Sequence, residues 1–451
     1  MFSFSKRVRL AFFSTVLFGI ITHMFAMVNE CPHADVFSAY FGYGAGYTSG
    51  RWGLAFLGDL VNKWFGNYPI PWLNGMLSIL FLAVSSVYII ESFDISTEQN
   101  CILICMFVVA CPSVFSAFAY IFTTPYYCFS IMLTCCGIYF IKKKRNGWIL
   151  GTLLFTGSLG IYQAYLGLAA SIFILFLILD CLDEDVNAAS VLIKAWQYFG
   201  ILCISILLYL GITKVSLKLA GGVSLTSYES IDTMGQLQLG QIPQFIAKSW
   251  LEFIAPAIMD RNGLSMFIAV RICYGLLLLL LAFLALRLII VSGRKEKSKT
   301  ALMGLFLFLF PCSVNLIYLM CANGYVHTLM RYAQIMIYIG AIVIIDRKGM
   351  ALLKGKTAKI KNLLTGLCLV TAGSFCVQAN QAYYGLHQMF LETKAYYTVL
   401  VTQIKSQEGY QEDMPVAFIG EAEDKTFPMF VQYSKFESMA GLDCMSYYQL
   451  Y

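Results

Sequence analysis

Long apolar blocks alternate along the chain with short polar segments. The blocks span residues 10–28, 72–92, 101–119, 126–141, 148–161, 164–182, 195–216, 264–291, 301–321, 331–345 and 362–379. About 20 apolar residues cross the hydrocarbon core of a bilayer as a helix. The pattern therefore predicts an all-α polytopic membrane protein with about 11 transmembrane helices. The stretch 148–182 fits either two short helices or one long helix with a break.

The composition agrees with this pattern. Of the 451 residues, 59% are hydrophobic and 12% are charged, whereas about a quarter of the residues in soluble domains are charged. So little charge excludes a separate soluble catalytic domain. Most of the 15 cysteines lie inside apolar blocks, where cysteine acts as a small hydrophobe. No cysteine or histidine spacing fits a metal site, so we expect neither a metal nor another cofactor.

Basic residues cluster in alternate loops between the blocks. They are Lys6, Arg7 and Arg9, then Lys142, Lys143, Lys144 and Arg145, then Lys194, then Arg287, Arg294, Lys295, Lys297 and Lys299, and finally Arg347, Lys348, Lys354, Lys356, Lys359 and Lys361. Basic loops mark the cytoplasmic side of a membrane protein. We therefore expect a multi-pass protein of the cell membrane with a cytoplasmic N-terminus and an extracytoplasmic C-terminus. The net charge of +6 comes from these loops and does not indicate a nucleic-acid partner.

The alternation of basic loops holds only if 148–182 forms two helices, and it leaves three long outside segments: 29–71, 217–263 and the tail from 380. In the first of these, residues 51–65 alternate polar and apolar positions at helical spacing and are rich in Trp and Phe. This pattern is typical of an amphipathic helix lying in the membrane interface.

The tail predicts a small mixed α/β segment. Residues 384–408 have helical spacing, and 414–420 resembles a buried strand that ends in a glycine turn. We therefore divide the chain into a polytopic transmembrane domain, 1–379, and a small extracytoplasmic C-terminal module, 380–451.

Two acidic residues follow the first span directly. Glu30 and Asp35 lie where a lipid carrier would present its headgroup, and a carboxylate there could act as a general base toward a sugar hydroxyl. The alternative is that they cap the next helix or only hydrate the loop.

Two arginines and a polar turn are further candidates. Arg51 could bind a phosphate bidentately, or it could fix the depth of the interface helix by extending to the membrane surface. Arg331 opens the tenth span, where a charge is costly unless it is solvated or paired, so it either belongs to a site or extends to the outer membrane surface. A belt of interfacial aromatic residues explains Tyr162 and Tyr165 between two spans, but it does not explain Gln163.

The order and placement of these features resemble the GtrII-type glucosyltransferases, which are related to the serotype-converting O-antigen glucosyltransferases. The resemblance covers roughly residues 10–380. It is carried by Asp35, Tyr47-Thr48-Ser49-Gly50-Arg51-Trp52, Leu73-Asn74-Gly75-Met76-Leu77-Ser78-Ile79, Phe118-Ala119-Tyr120-Ile121-Phe122, Tyr162-Gln163-Ala164-Tyr165 and Arg331.

This resemblance implies a GT-C-like fold with its active site on the outer face. The implied donor is a polyprenyl-phosphate sugar, commonly glucose, and the implied acceptor is a cell-surface glycan or its lipid-linked precursor. A flippase and a lipid-sugar synthase would be pathway partners. Asp35 is then the first candidate for the base and Glu30 the second. Arg51 and Arg331 would hold the donor phosphate, while Tyr120, Tyr162, Gln163 and Tyr165 would line the substrate cleft.

Two other functions are compatible with an apolar, many-helix chain. A transporter or flippase of lipid-linked glycans would carry ionisable residues near the middle of several spans, or broken helices from an internal repeat. The sequence shows neither clearly. A glycan polymerase or ligase shares the lipid-phosphate chemistry, and the sequence separates it poorly from a transferase.

Overall fold

The computed structural model describes residues 5–31, 46–66, 70–227, 239–260, 265–321, 325–353 and 355–417, without the side chains of 239, 294 and 295. The α-helices in these ranges are α1 (Lys6–Val28), α2 (Trp52–Phe65), α3 (Pro71–Phe93), α4 (Glu98–Ala110), α5 (Pro112–Phe118), α6 (Thr124–Lys143), α7 (Gly147–Ile161), α8 (Leu166–Cys181), α9 (Ala188–Leu219), α10 (Ile242–Ile254), α11 (Ile268–Lys295), α12 (Lys297–Val314), α13 (Ile317–Met320), α14 (Ile335–Leu353) and α15 (Thr357–Lys405). Short 3-10 turns lie at Tyr47–Ser49, Gln163–Tyr165, Leu239–Gln241, Ala255–Ala257 and Thr328–Gln334.

The described residues contain nine helices long and apolar enough to cross a membrane. Helices α4 and α5 are long and apolar enough only when taken together, and they bend by 41° where Cys111 is extended before Pro112, which is typical of a broken span or a re-entrant loop. The remaining predicted block is α7, which is apolar but has only 15 residues. The all-helical membrane architecture is thus confirmed, whereas the predicted count of 11 spans is not.

The stretch 148–182 forms two helices, as the alternation of basic loops required. Tyr162 adopts an extended conformation between α7 and α8, with φ −154° and ψ 111°. Its backbone N–H still donates to the Ser158 carbonyl at 2.8 Å, which closes the end of α7. The chain then makes one 3-10 turn and enters α8 in the opposite direction.

The basic loops meet at one end of the helices. Lys6 pairs with Glu98 at 2.6 Å, and Lys143 pairs with Asp94 at 2.6 Å. Arg347 donates to the Asp94 carbonyl at 3.2 Å, and Lys194 pairs with Asp180 at 2.9 Å. The first contact joins the starts of α1 and α4, the next two join α6 and α14 to the end of α3, and the last joins the start of α9 to the end of α8. The polar loops that contain the candidate site residues therefore lie at the opposite end.

Two glycines let α1 and α3 approach each other closely in the core. An added Cβ on Gly19 would lie 2.8 Å from Ile79, and one on Gly75 would lie 2.4 Å from Met27, so α1 and α3 pack at van der Waals contact. Small residues are typical of helix contacts in membranes, because lipid leaves no hydrophobic driving force between helices. His23 is buried in α1, with Nε2 2.8 Å from the Val109 carbonyl and Nδ1 2.7 Å from the Tyr383 hydroxyl.

The C-terminal part differs from the prediction. The span over 362–379 and the helix over 384–408 are one helix, α15, which has 49 residues and passes through position 380 without a break. The first residues of the predicted strand, 414–417, contain no strand, and 418–451 lie outside the described residues. The mixed α/β character of the tail is not confirmed, and the division of the chain at 380 stays a prediction.

Candidate functional site

Arg51 lies in a tight turn before the amphipathic helix α2. The turn Tyr47–Ser49 is followed by Gly50, which has φ +68° and so adopts a left-handed conformation that favours glycine. A Cβ on Gly50 would lie 2.6 Å from the Tyr209 hydroxyl and 3.2 Å from the Gln163 amide nitrogen. The position therefore requires glycine for two reasons, its backbone conformation and its close packing. This packing also fixes the backbone position of Arg51, the next residue.

Gln163 holds this turn from the other side. Its Nε2 donates to the Ser49 carbonyl at 3.0 Å and to the Tyr209 hydroxyl at 2.9 Å. The side chain is buried and ties the break between α7 and α8 to the first outside segment and to α9. These hydrogen bonds give Gln163 a structural role, which a belt of interfacial aromatic residues does not explain.

Tyrosines surround the Arg51 guanidinium. Nη1 donates to the Tyr127 hydroxyl at 3.2 Å, and Cζ lies 4.9 Å from the centre of the Tyr162 ring. Tyr127 and Tyr162 stack with ring centres 4.3 Å apart. Among the described residues, no carboxylate pairs with Arg51 in an ion pair. Arg51 is thus a partly buried cation held by neutral aromatic groups, an arrangement that can accept an anion.

Four buried polar atoms at this place lack a partner within the described part of the chain: Arg51 Nε, Trp52 Nε1, Thr123 Oγ1 and Tyr162 OH. A buried polar group without a hydrogen bond costs free energy, so such groups occur mainly where water or a ligand completes them. Burial raises the pKa of the Tyr162 phenol well above its usual range, so its hydroxyl stays protonated and can donate.

A row of tyrosines leads from Arg51 to the start of α14. The ring centres of Tyr162 and Tyr165 are 5.2 Å apart, and those of Tyr165 and Tyr332 are 5.8 Å apart, both in edge-to-face geometry. Tyr120 is half-buried in the turn before α6 and lies close enough to Tyr162 to affect its phenol electrostatically. The row of tyrosines thus connects the predicted site residues around Arg51 with the predicted site residue Arg331.

Arg331 lies beside Tyr332 and is paired with an acid. Its Nη2 is 3.0 Å from Glu252 Oε2, and both residues are buried, with 1% and 7% of their surfaces exposed. The Gln334 amide, with its oxygen facing the guanidinium, adds contacts of 3.1 Å to Nε and 2.6 Å to Nη2. The Arg331 guanidinium is therefore already neutralised, unlike that of Arg51. A buried position also excludes the interpretation that Arg331 extends to the membrane surface.

The candidate bases are not joined to this site by the described contacts. Glu30 is exposed, lies 3.8 Å from Lys394 of α15, and its carbonyl is 2.7 Å from His387 Nδ1. Its neighbour Cys31 donates to the Tyr383 carbonyl at 3.5 Å. Asp35 lies outside the described residues, so its role stays a prediction.

Three residues of the site were missed in the sequence. Tyr127 and Tyr209 lie inside apolar spans, where a tyrosine is usually a core or interface residue, so no local signal distinguishes them. Glu252 is different, because it is the single acidic residue of the amphipathic stretch Ile242–Ile254 in the second long outside segment. That isolation was a usable signal, since a buried acid needs a partner.

The fold and site together define a class: a polytopic helical membrane protein with a polar, tyrosine-lined site at one end of its helices. The family model for "Glucosyl transferase GtrII" matches residues 24–345, which is more than two thirds of the chain. The chain belongs to this glucosyltransferase family. Neither a search of curated proteins nor one of solved structures finds a match.

Proposed function

We propose that this membrane glucosyltransferase moves glucose from a polyprenyl-phosphate donor to a cell-surface glycan or its lipid-linked precursor, on the outer face of the cell membrane. The observation that carries the proposal is Arg51, a cation without a carboxylate partner among the described residues, surrounded by phenols. A lipid-linked sugar donor releases a phosphate when the glycosidic bond breaks, and a guanidinium with nearby hydroxyl donors stabilises that developing charge.

The surroundings of Arg51 match a phosphodiester at the membrane surface. Helix α2 follows Arg51 directly and exposes Phe56, Trp64 and Phe65, while its opposite side packs against α7 through Gly53. An amphipathic helix of this kind lies in the interface plane. A lipid phosphate would then meet the guanidinium at the depth where its headgroup already resides.

The charge distribution supports the outer-face assignment. The Arg51 site lies at the opposite end of the helices from the loops with Lys6, Lys143 and Arg347. Since basic loops mark the cytoplasmic side, the site opens to the outside. A donor already carried across the membrane on a lipid serves such a site without a nucleotide.

The chemistry assigns a role to each group. A general base, Asp35 on this proposal, removes the proton from the acceptor hydroxyl, whose oxygen then attacks the anomeric carbon of glucose. The bond from that carbon to the phosphate oxygen breaks, and the phosphate leaves with its negative charge held by Arg51. The substrate cleft would be lined by Tyr120, Tyr162, Gln163 and Tyr165. Arg331, at the far end of the tyrosine row, would help to hold the donor phosphate.

The test is sugar transfer by the purified protein in lipid nanodiscs, from radiolabelled polyprenyl-phosphate glucose to the glycan of the source cell. We expect transfer by the wild type, none by Asp35→Asn and strongly reduced transfer by Arg51→Ala. Arg271 is the matched control, because it lies at the same end and, among the described residues, donates to the nearby carbonyls of Ser265 and Met266. Arg271→Lys should leave transfer unchanged.

Two outcomes would contradict the proposal. Full transfer by Asp35→Asn would remove the assigned base. If the wild type transfers no glucose but moves the lipid-linked glycan across liposome membranes, the protein is a transporter.

A further inference from the structure

Helix α10, in the second long outside segment, carries an exposed lysine above the buried Arg331–Glu252 pair. Lys248 Nζ lies 4.6 Å from the centre of the Tyr318 ring, and Arg331 Cζ lies 5.7 Å from the centre of the same ring. Two cations therefore share one aromatic ring. The ring contact restricts the Lys248 ammonium to one place on the surface.

The local charge is not balanced. Glu252 pairs with Arg331 and cancels its charge, and Lys248 forms no ion pair with any of the described residues. Arg331 is buried, whereas Lys248 is exposed. The surplus positive charge thus belongs to the residue that an anion outside the protein can reach.

Exposed apolar side chains follow this lysine along α10 and in the turn after it. Leu251 is one helical turn further along α10 and is 55% exposed, and Ile258 after the helix is 70% exposed. Ile254 and Met259 are exposed as well. A lysine among exposed aliphatic residues on an amphipathic helix fits the membrane surface, where lipid chains cover the apolar residues and a lipid phosphate meets the ammonium.

We propose that Lys248 binds the phosphate of an anionic membrane phospholipid, and that this lipid holds α10 in the position that keeps Glu252 on Arg331. Lys248 and Glu252 are four residues apart on α10, so they lie on neighbouring turns of one side of the helix. A lipid that fixes one therefore fixes the other. The activity of the transferase would then depend on the anionic lipid around it, and this last step rests on the proposed function.

The first experiment measures lipid binding alone. Native mass spectrometry of the detergent-solubilised protein with phosphatidylglycerol should show about five-fold weaker binding to Lys248→Ala, since one lysine near a lipid surface contributes about that factor. Lys248→Arg should retain binding. Lys218 is the matched control, because it is exposed at the same end of the helices and contacts no aromatic ring of the described residues. Lys218→Ala should bind as the wild type does.

The second experiment measures glucose transfer in nanodiscs of phosphatidylcholine alone and of an equal mixture with phosphatidylglycerol. We expect the anionic mixture to accelerate the wild type and Lys218→Ala but not Lys248→Ala. Equal binding losses for Lys218→Ala and Lys248→Ala would overturn the proposal. So would Lys248-dependent binding of polyprenyl phosphate without any of phosphatidylglycerol, because the site would then belong to a substrate. Binding as expected with no glucose transfer by any variant would instead contradict the proposed function.

Discussion

Glu252→Gln tests whether the buried Arg331–Glu252 pair stabilises the protein. The substitution keeps the shape of the side chain but removes the charge opposite a guanidinium with 1% exposure. Leaving one charge of a buried pair uncompensated costs about 3–5 kcal/mol. With an unfolding entropy of about 2.1 cal/mol/K per residue, a chain of 451 residues loses roughly 1 °C for each kcal/mol. We therefore expect the unfolding midpoint to fall by about 3–5 °C.

The assay is thermal unfolding followed with a thiol-reactive maleimide dye, since buried cysteines such as Cys105 and Cys368 react only after unfolding. Glu30→Gln is the control, because it removes one partner of the exposed Glu30–Lys394 pair. Exposed pairs contribute about 0–1 kcal/mol, so this variant should unfold within about 1 °C of the wild type. Equal shifts for Glu30→Gln and Glu252→Gln would refute the reasoning from burial.

Further predictions concern the turn before α2 and its surroundings. Arg51→Lys should reduce transfer by about 10-fold or more in kinetic assays, because lysine lacks the planar fork that contacts Tyr127 and Tyr162; full activity would show that only the charge matters. Gly50→Ala should lower the unfolding midpoint, since its Cβ would meet the Tyr209 hydroxyl at 2.6 Å; an unchanged midpoint would contradict this packing. Tyr162→Phe should leave stability unchanged but reduce transfer, because the removed hydroxyl is buried and has no hydrogen-bond partner among the described residues. Burial raises the pKa of the Cys31 thiol to about 12, so iodoacetamide at pH 8 should label it only after unfolding, as peptide mapping would show.

The apolar blocks predicted the helices well because burial in lipid demands continuous hydrophobic runs. Their ends were harder to predict. Gln378, Asn380 and Gln381 look like the polar end of a span, yet α15 continues through them. The Asn380 amide donates to the Cys376 carbonyl of its own helix at 2.9 Å, and Gln378 is fully buried. Packing against neighbouring helices thus extended a helix that composition alone would end.

The site was only partly accessible to sequence reasoning. Arg51, Tyr162 and Gln163 stand out because polar residues at span ends are conspicuous in an apolar chain. Tyr209 is in the middle of an apolar run, and its role depends on α9 packing beside the Gly50 turn. Arg331 was a predicted site residue and Glu252 stood out as an isolated acid, but their pairing could not be predicted, because 79 residues separate them. Pairings at that distance in the chain are set by how the helices assemble.

The length of α15 has a consequence for access to the site. At about 1.5 Å per residue, 49 residues extend about 74 Å, whereas a bilayer core is about 30 Å thick. The helix continues past the exit of α1 and packs there against Glu30 and Cys31 through His387 and Tyr383. It therefore covers the α1 side at the end of the helices that carries the Arg51 site. On the proposed function, a bulky acceptor approaches from the side where α2, α7 and α9 lie beside Arg51, which restricts the directions from which a sugar hydroxyl arrives.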